Sequence, residues 1–331
     1  MTTIRDVAEY AQVSVATVSR VLNKKGYVQS ATKEKVEKAI NDLDYKPNDV
    51  ARSLFKGKSK MIALLVPDIT NPFFPELARA VEDLCNQNSY TFILCNTDNS
   101  YEKEATYLNS LQQKSIDGMI IVSDTISPDY IGKIKVPIVL LDRVFEKGDY
   151  SYVKVNNREG ACNATNYLKE IGCKKIAHIA GPSSVLNAKD RMKGYIDAVA
   201  YESWFSNDLI ITSDYDMKLQ ASTENIKALL QKHPDVDGIF AANDSIAIRT
   251  MKVAEEMKIK IPDDLSIIGF DGISLGEITS PSLTTMAQPI YEMGRKAASM
   301  IMDEINDPSL PKRMEKLEVN FMKRQSTRKK G

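Results

Sequence analysis

Residues 15–23 read Val-Ala-Thr-Val-Ser-Arg-Val-Leu-Asn. Ser14, just before them, can accept a hydrogen bond from the amide near Thr17, and Lys24-Lys25-Gly26 after them stops a helix. Upstream, Thr3 can cap a helix through Ala11 with Asp6 at the third helical position, and Ile4, Val7, Ala8 and Ala11 share one face. A third helix is predicted from Ser30 through Leu43, with Val36, Ala39, Ile40 and Leu43 inward. Residues 1–46 thus read as three short helices without a strand, and the pair at 4–11 and 15–23 as a helix-turn-helix. In such a pair the second helix lies in the major groove of DNA. Val18 and Leu22 are assigned to its buried side, leaving Val15, Ala16, Ser19, Arg20 and Asn23 outward. The Arg20 fork matches O6 and N7 of guanine, worth about 1–3 kcal/mol of discrimination. Small apolar Val15 and Ala16 suit thymine methyls, and Ser14, Thr17, Tyr27 and Thr32 are placed on phosphates.

Charge supports that reading. The 331 residues carry 44 Lys and Arg against 44 Asp and Glu, but residues 1–60 hold 12 against 7, leaving 32 against 37 for the rest. A basic end on an acidic chain points to a polyanion partner for that end. From residue 61 onward short apolar runs alternate with amphipathic stretches, the pattern of βα units in a parallel sheet. Strands are predicted at 61–66, 91–95, 118–122, 137–142, 175–180, 238–242 and 265–270. Helices are predicted at Pro75–Asn88, Tyr101–Lys114, Arg158–Ile171, Lys218–Lys232 and Ser245–Lys258. Seven strands exceed one small sheet, so two doubly wound lobes with a cleft between them are expected, with Asp142–Val155 as a crossing and 323–331 as a polar basic tail. The domains are therefore drawn as 1–46, a linker at 47–60, a two-lobed core at 61–322 and the tail. Cys85, Cys95, Cys162 and Cys173 form no C-x-x-C pair and are expected as buried thiols; with only His178 and His233, no metal site or cofactor is expected. No signal segment or long apolar run is present, so a cytoplasmic location is expected.

In open α/β sheets ligands sit beyond the carboxyl ends of the strands. Following each strand finds Asn71-Pro-Phe-Phe74, Asp142-Arg143, Arg191, Asn243-Asp244, Asp271 and, before Pro289, Gln288. Carboxylates and amides pair with hydroxyls, arginine forks fix them from the other side, and Phe73 and Phe74 offer flat walls to the C–H face of a sugar ring. Two carboxylates in one pocket favour a neutral polyol over a sugar phosphate.

Residues 3–57 resemble the DNA-binding domain and hinge of LacI/GalR-type bacterial repressors, whose recognition helix reads V-A-T-V-S-R-V-L-N and whose hinge reads Y-x-P-N-x-V-A-R-x-L, strings present at 15–23 and 45–54. The resemblance implies a homodimer on a near-palindromic operator. It also implies a hinge that becomes helical on DNA and wedges Leu54 into the minor groove, with Asn48 and Ala51 beside it. Gln12 stands where the family usually has Gly, at a cost of roughly 1 kcal/mol if φ is positive there. Residues 61–322 resemble the type I periplasmic-binding-protein fold that forms the effector domain of these repressors, and ribose-binding members most. The resemblance implies that Asn71, Phe73, Phe74, Asp142, Arg143, Arg191, Asn243, Asp271 and Gln288 bind the pentose, with Tyr215 as a second-lobe aromatic.

The implied function is a repressor of a sugar catabolic operon released by D-ribose. The alternatives are a nucleoside or purine effector, or a phosphorylated carrier protein docked around Glu76–Cys85. No G-x-x-x-x-G-K-[ST], G-x-S-x-G or H-E-x-x-H string occurs, and Gly269-Phe-Asp-Gly272 lacks dinucleotide-loop spacing, so an enzyme is not expected.

Overall fold

A computed structural model describes residues 2–23, 26–45, 58–144, 148–213, 215 and 220–329. The chain divides into two compact units, Met1–Ser59 and Lys60–Gly331. Among the described residues the first holds three helices, Ile4–Tyr10, Val15–Asn23 and Ser30–Asp42. Thr3 and Asp6 form a reciprocal capping box on the first. The Ser14 hydroxyl accepts from the Thr17 amide at 3.2 Å and starts the second. Between them Gln12 takes φ 53°, the left-handed conformation that favours glycine. Val7, Ala8, Ala11, Val18, Val36, Ala39 and Tyr45 pack as its core, with Leu22, Ile40 and Leu43 half-buried around it. The expected hinge contacts Asn48, Ala51 and Leu54 lie outside the described residues.

The second unit contains twelve strands among the described residues. They are β1 (Met61–Val66), β2 (Thr91–Asn96), β3 (Gly118–Ile121), β4 (Ile138–Leu141), β5 (Ser151–Val155), β6 (Ile176–Ala180), β7 (Ile210–Thr212), β8 (Gly238–Ala241), β9 (Ser266–Asp271), β10 (Thr284–Ala287), β11 (Met314–Leu317) and β12 (Asn320–Met322). They form two six-stranded sheets in the orders β11-β5-β4-β3-β1-β2 and β12-β10-β9-β8-β6-β7. Every pairing is parallel except the antiparallel β10–β12 pair. β1, β3, β4, β6, β8 and β9 are almost entirely buried, which is why they appear in sequence as apolar runs, interrupted only by His178 in β6 and by Ser266 and Asp271 at the ends of β9. The five helices expected from periodicity lie within two residues of Phe73–Gln87, Tyr101–Gln113, Asn157–Glu170, Gln220–Lys232 and Asp244–Glu256. Two more long helices, Leu186–Val199 and Ile290–Asn306, complete the layers.

Two expectations are corrected. Asp142–Val155 is not simply a crossing: it contains β5, where Ser151, Val153 and Val155 are buried and Tyr152 and Lys154 half-buried, a strand with one face inward. The chain instead leaves the first sheet after β5, returns after β10 and leaves again after β11. The segment after Met322 is not a loose tail, since Ser326 and Thr327 are buried. The Ser326 hydroxyl donates to the Ile267 carbonyl at 2.6 Å and accepts from the Thr284 amide at 2.8 Å, bridging β9 and β10. Short polar side chains serve there because they satisfy backbone groups at the amino-terminal ends of the two strands.

β1 lies between β2 and β3, and β6 between β7 and β8, so each sheet reverses its winding beside its first strand. The crevices that this reversal opens at the carboxyl ends are where a ligand fits.

Candidate functional site

Eleven side chains line one cleft at the carboxyl ends of the two sheets: Asn71, Phe73, Phe74, Asp142, Arg143, Asn187, Arg191, Tyr215, Asn243, Asp271 and Gln288. The structure therefore brings together all ten effector-contact residues named from sequence. It adds Asn187, which the sequence reading missed. The signal was available: Asn187 lies four residues before Arg191 on the same helix, hence on the same face.

The first lobe supplies a wall and one pair of charges. Asn71 turns the chain after β1, its carbonyl oxygen accepting from the Phe73 amide at 3.1 Å. Phe73 and Phe74 then meet edge to face at 5.1 Å. Asp142, just past β4, is held at φ 64°. Arg143 pairs with buried Asp124 at 2.7 Å and donates to Asn99 at 3.1 Å. The second lobe supplies a tied cluster. Arg191 pairs with Asp271 at 3.0 Å, and donates to the Ala242 carbonyl at 2.7 Å and to Asn157 at 2.8 Å. Its guanidinium covers the Phe270 ring at 3.8 Å. Gln288 donates to Asp271 at 2.8 Å, and Asn243 caps the helix Asp244–Glu256 by accepting from Ile246 at 2.8 Å, which leaves its NH2 group to face the cavity. Gly181 makes room for Tyr215, whose hydroxyl would lie 2.3 Å from a Cβ there. Among the described residues two hydrogen bonds cross between the lobes: Asn187 donates to Asp142 at 2.8 Å, and the Leu186 amide to Asp124 at 3.0 Å.

Burial governs the ionisation of this cluster. It pushes the Asp142 carboxyl up to about 6, against the pull of Arg191 and Arg143, and raises Asp271 as well. The Tyr215 hydroxyl is pushed up to about 12 by burial. Among the described residues, six buried polar atoms of the lining have no hydrogen-bond partner: Asp142 Oδ1, Asn187 Oδ1, Gln288 Oε1, Arg143 Nε, Arg191 Nη2 and the Tyr215 hydroxyl. Three are acceptors, two are donors and the tyrosine is both. Groups of this kind are costly unless a ligand completes them.

On the second helix of the first unit, Val15, Ala16, Arg20 and Asn23 are exposed, Ser19 and Thr17 half-buried, and Ser14 exposed; Tyr27 is 88% exposed and Thr32 half-buried. The Asn23 amide donates to the Ser19 carbonyl at 2.8 Å, so an outward contact from Asn23 competes with that bond. Elsewhere, no group of three or more metal-ligating side chains occurs among the described residues. His178 is enclosed between Tyr195 and Phe240, bonded to the Phe240 carbonyl at 2.8 Å and pushed down to about 4 by burial, which keeps it neutral. Cys85, Cys95 and Cys173 are buried thiols and Cys162 is half-buried. No helix among the described residues is long and apolar enough to cross a membrane.

Residues 3–48 match the model of the bacterial regulatory proteins of the lacI family, and residues 165–327 that of a periplasmic binding protein-like domain. A ribose operon repressor from Halalkalibacterium halodurans is 45% identical over 328 residues, 99% of this chain and 98% of that one. The chain belongs to the lacI family. A solved LacI family transcriptional regulator from Enterococcus faecium, with bound ribose, is 32% identical with a TM-score of 0.73, over 82% of this chain and 100% of that one. The lac repressor dimer bound to operator superposes with a TM-score of 0.87 over 99% of both chains at 24% identity, a likeness of fold. In this lacI family regulator the helix-turn-helix and the two-lobed α/β core are thus the two expected parts.

Proposed function

We propose that this chain is a DNA-binding transcriptional repressor that answers to D-ribose. The observation that carries the effector is the set of six unpartnered atoms of both polarities in an aromatic-walled cleft. Each hydroxyl of a pentose both donates and accepts, so a neutral polyol can complete acceptors and donors together. A phosphate ester fits poorly: Asp142 and Asp271 balance Arg143 and Arg191, both arginines already have carboxylate partners, and no surplus positive charge remains. The names of the relatives agree with this choice.

Asn71, Phe73, Phe74, Asp142, Arg143, Asn187, Arg191, Tyr215, Asn243, Asp271 and Gln288 hold the sugar in this reading. Ser14, Val15, Ala16, Thr17, Ser19, Arg20, Asn23, Tyr27 and Thr32 read or grip DNA, with Asn48, Ala51 and Leu54 of the linker in the minor groove. One helix-turn-helix covers one half-site, so two chains form a dimer on a near-palindromic operator. Ribose completes the cleft in the closed state and shifts the dimer away from the DNA-gripping arrangement; a coupling of about 1–3 kcal/mol suffices. A phosphorylated carrier protein finds a poor dock on the helix Phe73–Gln87, where Glu76, Glu82 and Asp83 outnumber Arg79, itself bonded to Asp83 at 3.2 Å.

Calorimetric titration with D-ribose, beside a nucleoside and a sugar phosphate, tests the effector. One saturable ribose site per chain and no heat from the others is expected; folded protein that ignores ribose overturns the assignment. Arg20→Ala tests the DNA half, with about 1–3 kcal/mol of operator discrimination lost and ribose binding unchanged.

A further inference from the structure

Asp244 is wholly buried, yet it is not among the residues that line the cavity. It opens the helix Asp244–Glu256 beside Asn243 and reaches across two neighbouring strand ends. One carboxylate oxygen accepts from the amides of Gly272 at 2.7 Å and Ile273 at 2.9 Å; the other accepts from the Thr285 hydroxyl at 2.6 Å. One side chain therefore ties together the helix after β8, the turn after β9 and the strand β10. The string Gly269-Phe-Asp-Gly272 is built around it. A Cβ at 269 would lie 2.1 Å from the Asp244 carboxylate, and Gly272 turns its amide toward that carboxylate at φ 80°, where a Cβ would lie 2.5 Å from that of Ala287. Between these glycines Asp271 is held at φ 112°, a conformation that side chains rarely adopt and that its surroundings must enforce.

We infer that Asp244 is a positioning residue for effector recognition: its carboxylate holds the 271–273 turn in the strained shape that presents Asp271 to the sugar. The inference rests on the ribose reading of the cleft. Burial, with the charge of Asp271 adding to it, pushes Asp244 up to about 7, while its three donors pull it back. The charged group facing it is Asp271, with Arg191 on the far side of that carboxylate at 3.0 Å; the donors from Gly272, Ile273 and Thr285 are neutral. The three-acceptor carboxylate prevails above the midpoint. Sugar affinity therefore rises with pH through about 7, ahead of any contribution from Asp142 near 6.

The test uses the full-length protein, Asp244→Asn and Thr285→Val in two measurements: amide hydrogen exchange without ligand, and calorimetric ribose titration across neutral pH. Asp244→Asn is expected to speed exchange at Gly272 and Ile273 selectively, weaken ribose about tenfold or more, and move the steepest change in affinity down toward 6. Thr285→Val, which removes one donor from Asp244, should keep the high-pH affinity and displace the midpoint upward. Wild-type exchange at both amides in Asp244→Asn overturns the inference. So does loosening of the whole second lobe with an unmoved midpoint in Thr285→Val. Wild-type protein that binds no ribose removes the ribose reading instead, and the exchange at Gly272 and Ile273 then decides alone whether Asp244 holds the turn.

Discussion

In the second lobe the charged groups of the cleft are tied to one another and to their own backbone: Arg191 to Asp271, Asn157 and Ala242, and Gln288 to Asp271. In the first lobe only Arg143 is anchored within the lobe, to Asp124 and Asn99, while Asp142 takes its hydrogen bond from Asn187 across the cleft. The strand orders of the two sheets correspond position for position, so topology does not account for this asymmetry. The chemistry of the strand ends does. On the proposed reading, the second lobe is preorganised for hydroxyls, and the first faces them with two aromatic rings and a carboxylate whose partner lies opposite. Preorganisation concentrates affinity where less rotamer freedom remains to be lost.

The severest way to break this comparison is Arg191→Met, which leaves buried Asp271 without its cation. Ribose binding should vanish and the second unit should lose about 3–5 kcal/mol, read by calorimetry and denaturant unfolding. Asp271→Ala removes a charged acceptor while leaving Arg191 its other two partners. Ribose affinity should fall about 100-fold with operator affinity intact. In the first lobe, Asp142→Asn keeps an acceptor for Asn187 and removes only ionisation. Because folding raises this carboxyl from 3.8 to about 6, its contribution to stability is complete below 3.8 and lost as pH rises through about 6. The variant should therefore exceed wild type in denaturant midpoint at pH 8, by a margin that shrinks toward pH 5; a constant margin would show that Asp142 does not titrate in the cleft. The smallest effect is expected from Asn187→Ala, which removes one cross-lobe bond: about 1 kcal/mol of ribose affinity. A larger loss there than in Asp271→Ala would reverse the ranking of the lobes.

Much of this was legible in the sequence because burial writes itself as composition. Central parallel strands such as β1 and β4 are apolar throughout, and the capping signals of Thr3 and Ser14 stand next to the helices they start. At Gln12 it was the family resemblance, with Gly usual at that position, that raised the question of a positive φ, and the backbone there takes φ 53°. The missed strands are β5, β7, β10, β11 and β12. They are short, and β5, β11 and β12 keep one or both faces partly wet, so their residues carry no continuous apolar run. Polar Ser326 and Thr327 concealed their burial for the opposite reason: their value lies in satisfying strand ends, which composition does not record. The cleft residues could be assembled from strand ends alone, whereas Asn187 required knowing that Leu186–Val199 is one helix. Asp244 was visible only as the neighbour of Asn243, because its role depends on where two distant turns meet.

The three crossings between the sheets have a consequence for how such genes can be shuffled. The sixth strand of the first sheet, β11, follows the first five strands of the second sheet in the chain, and β12 then returns to the second. No contiguous stretch of coding sequence specifies either sheet, yet the first-lobe cleft residues, Asn71 to Arg143, all precede the second-lobe ones, Asn187 to Gln288, so one junction separates the two halves of the proposed pocket. The DNA-reading unit, likewise, is bounded by one junction at residues 59 and 60. Operator choice can be exchanged at that junction, and one half of the proposed pocket at another, provided that β11 still pairs with β5.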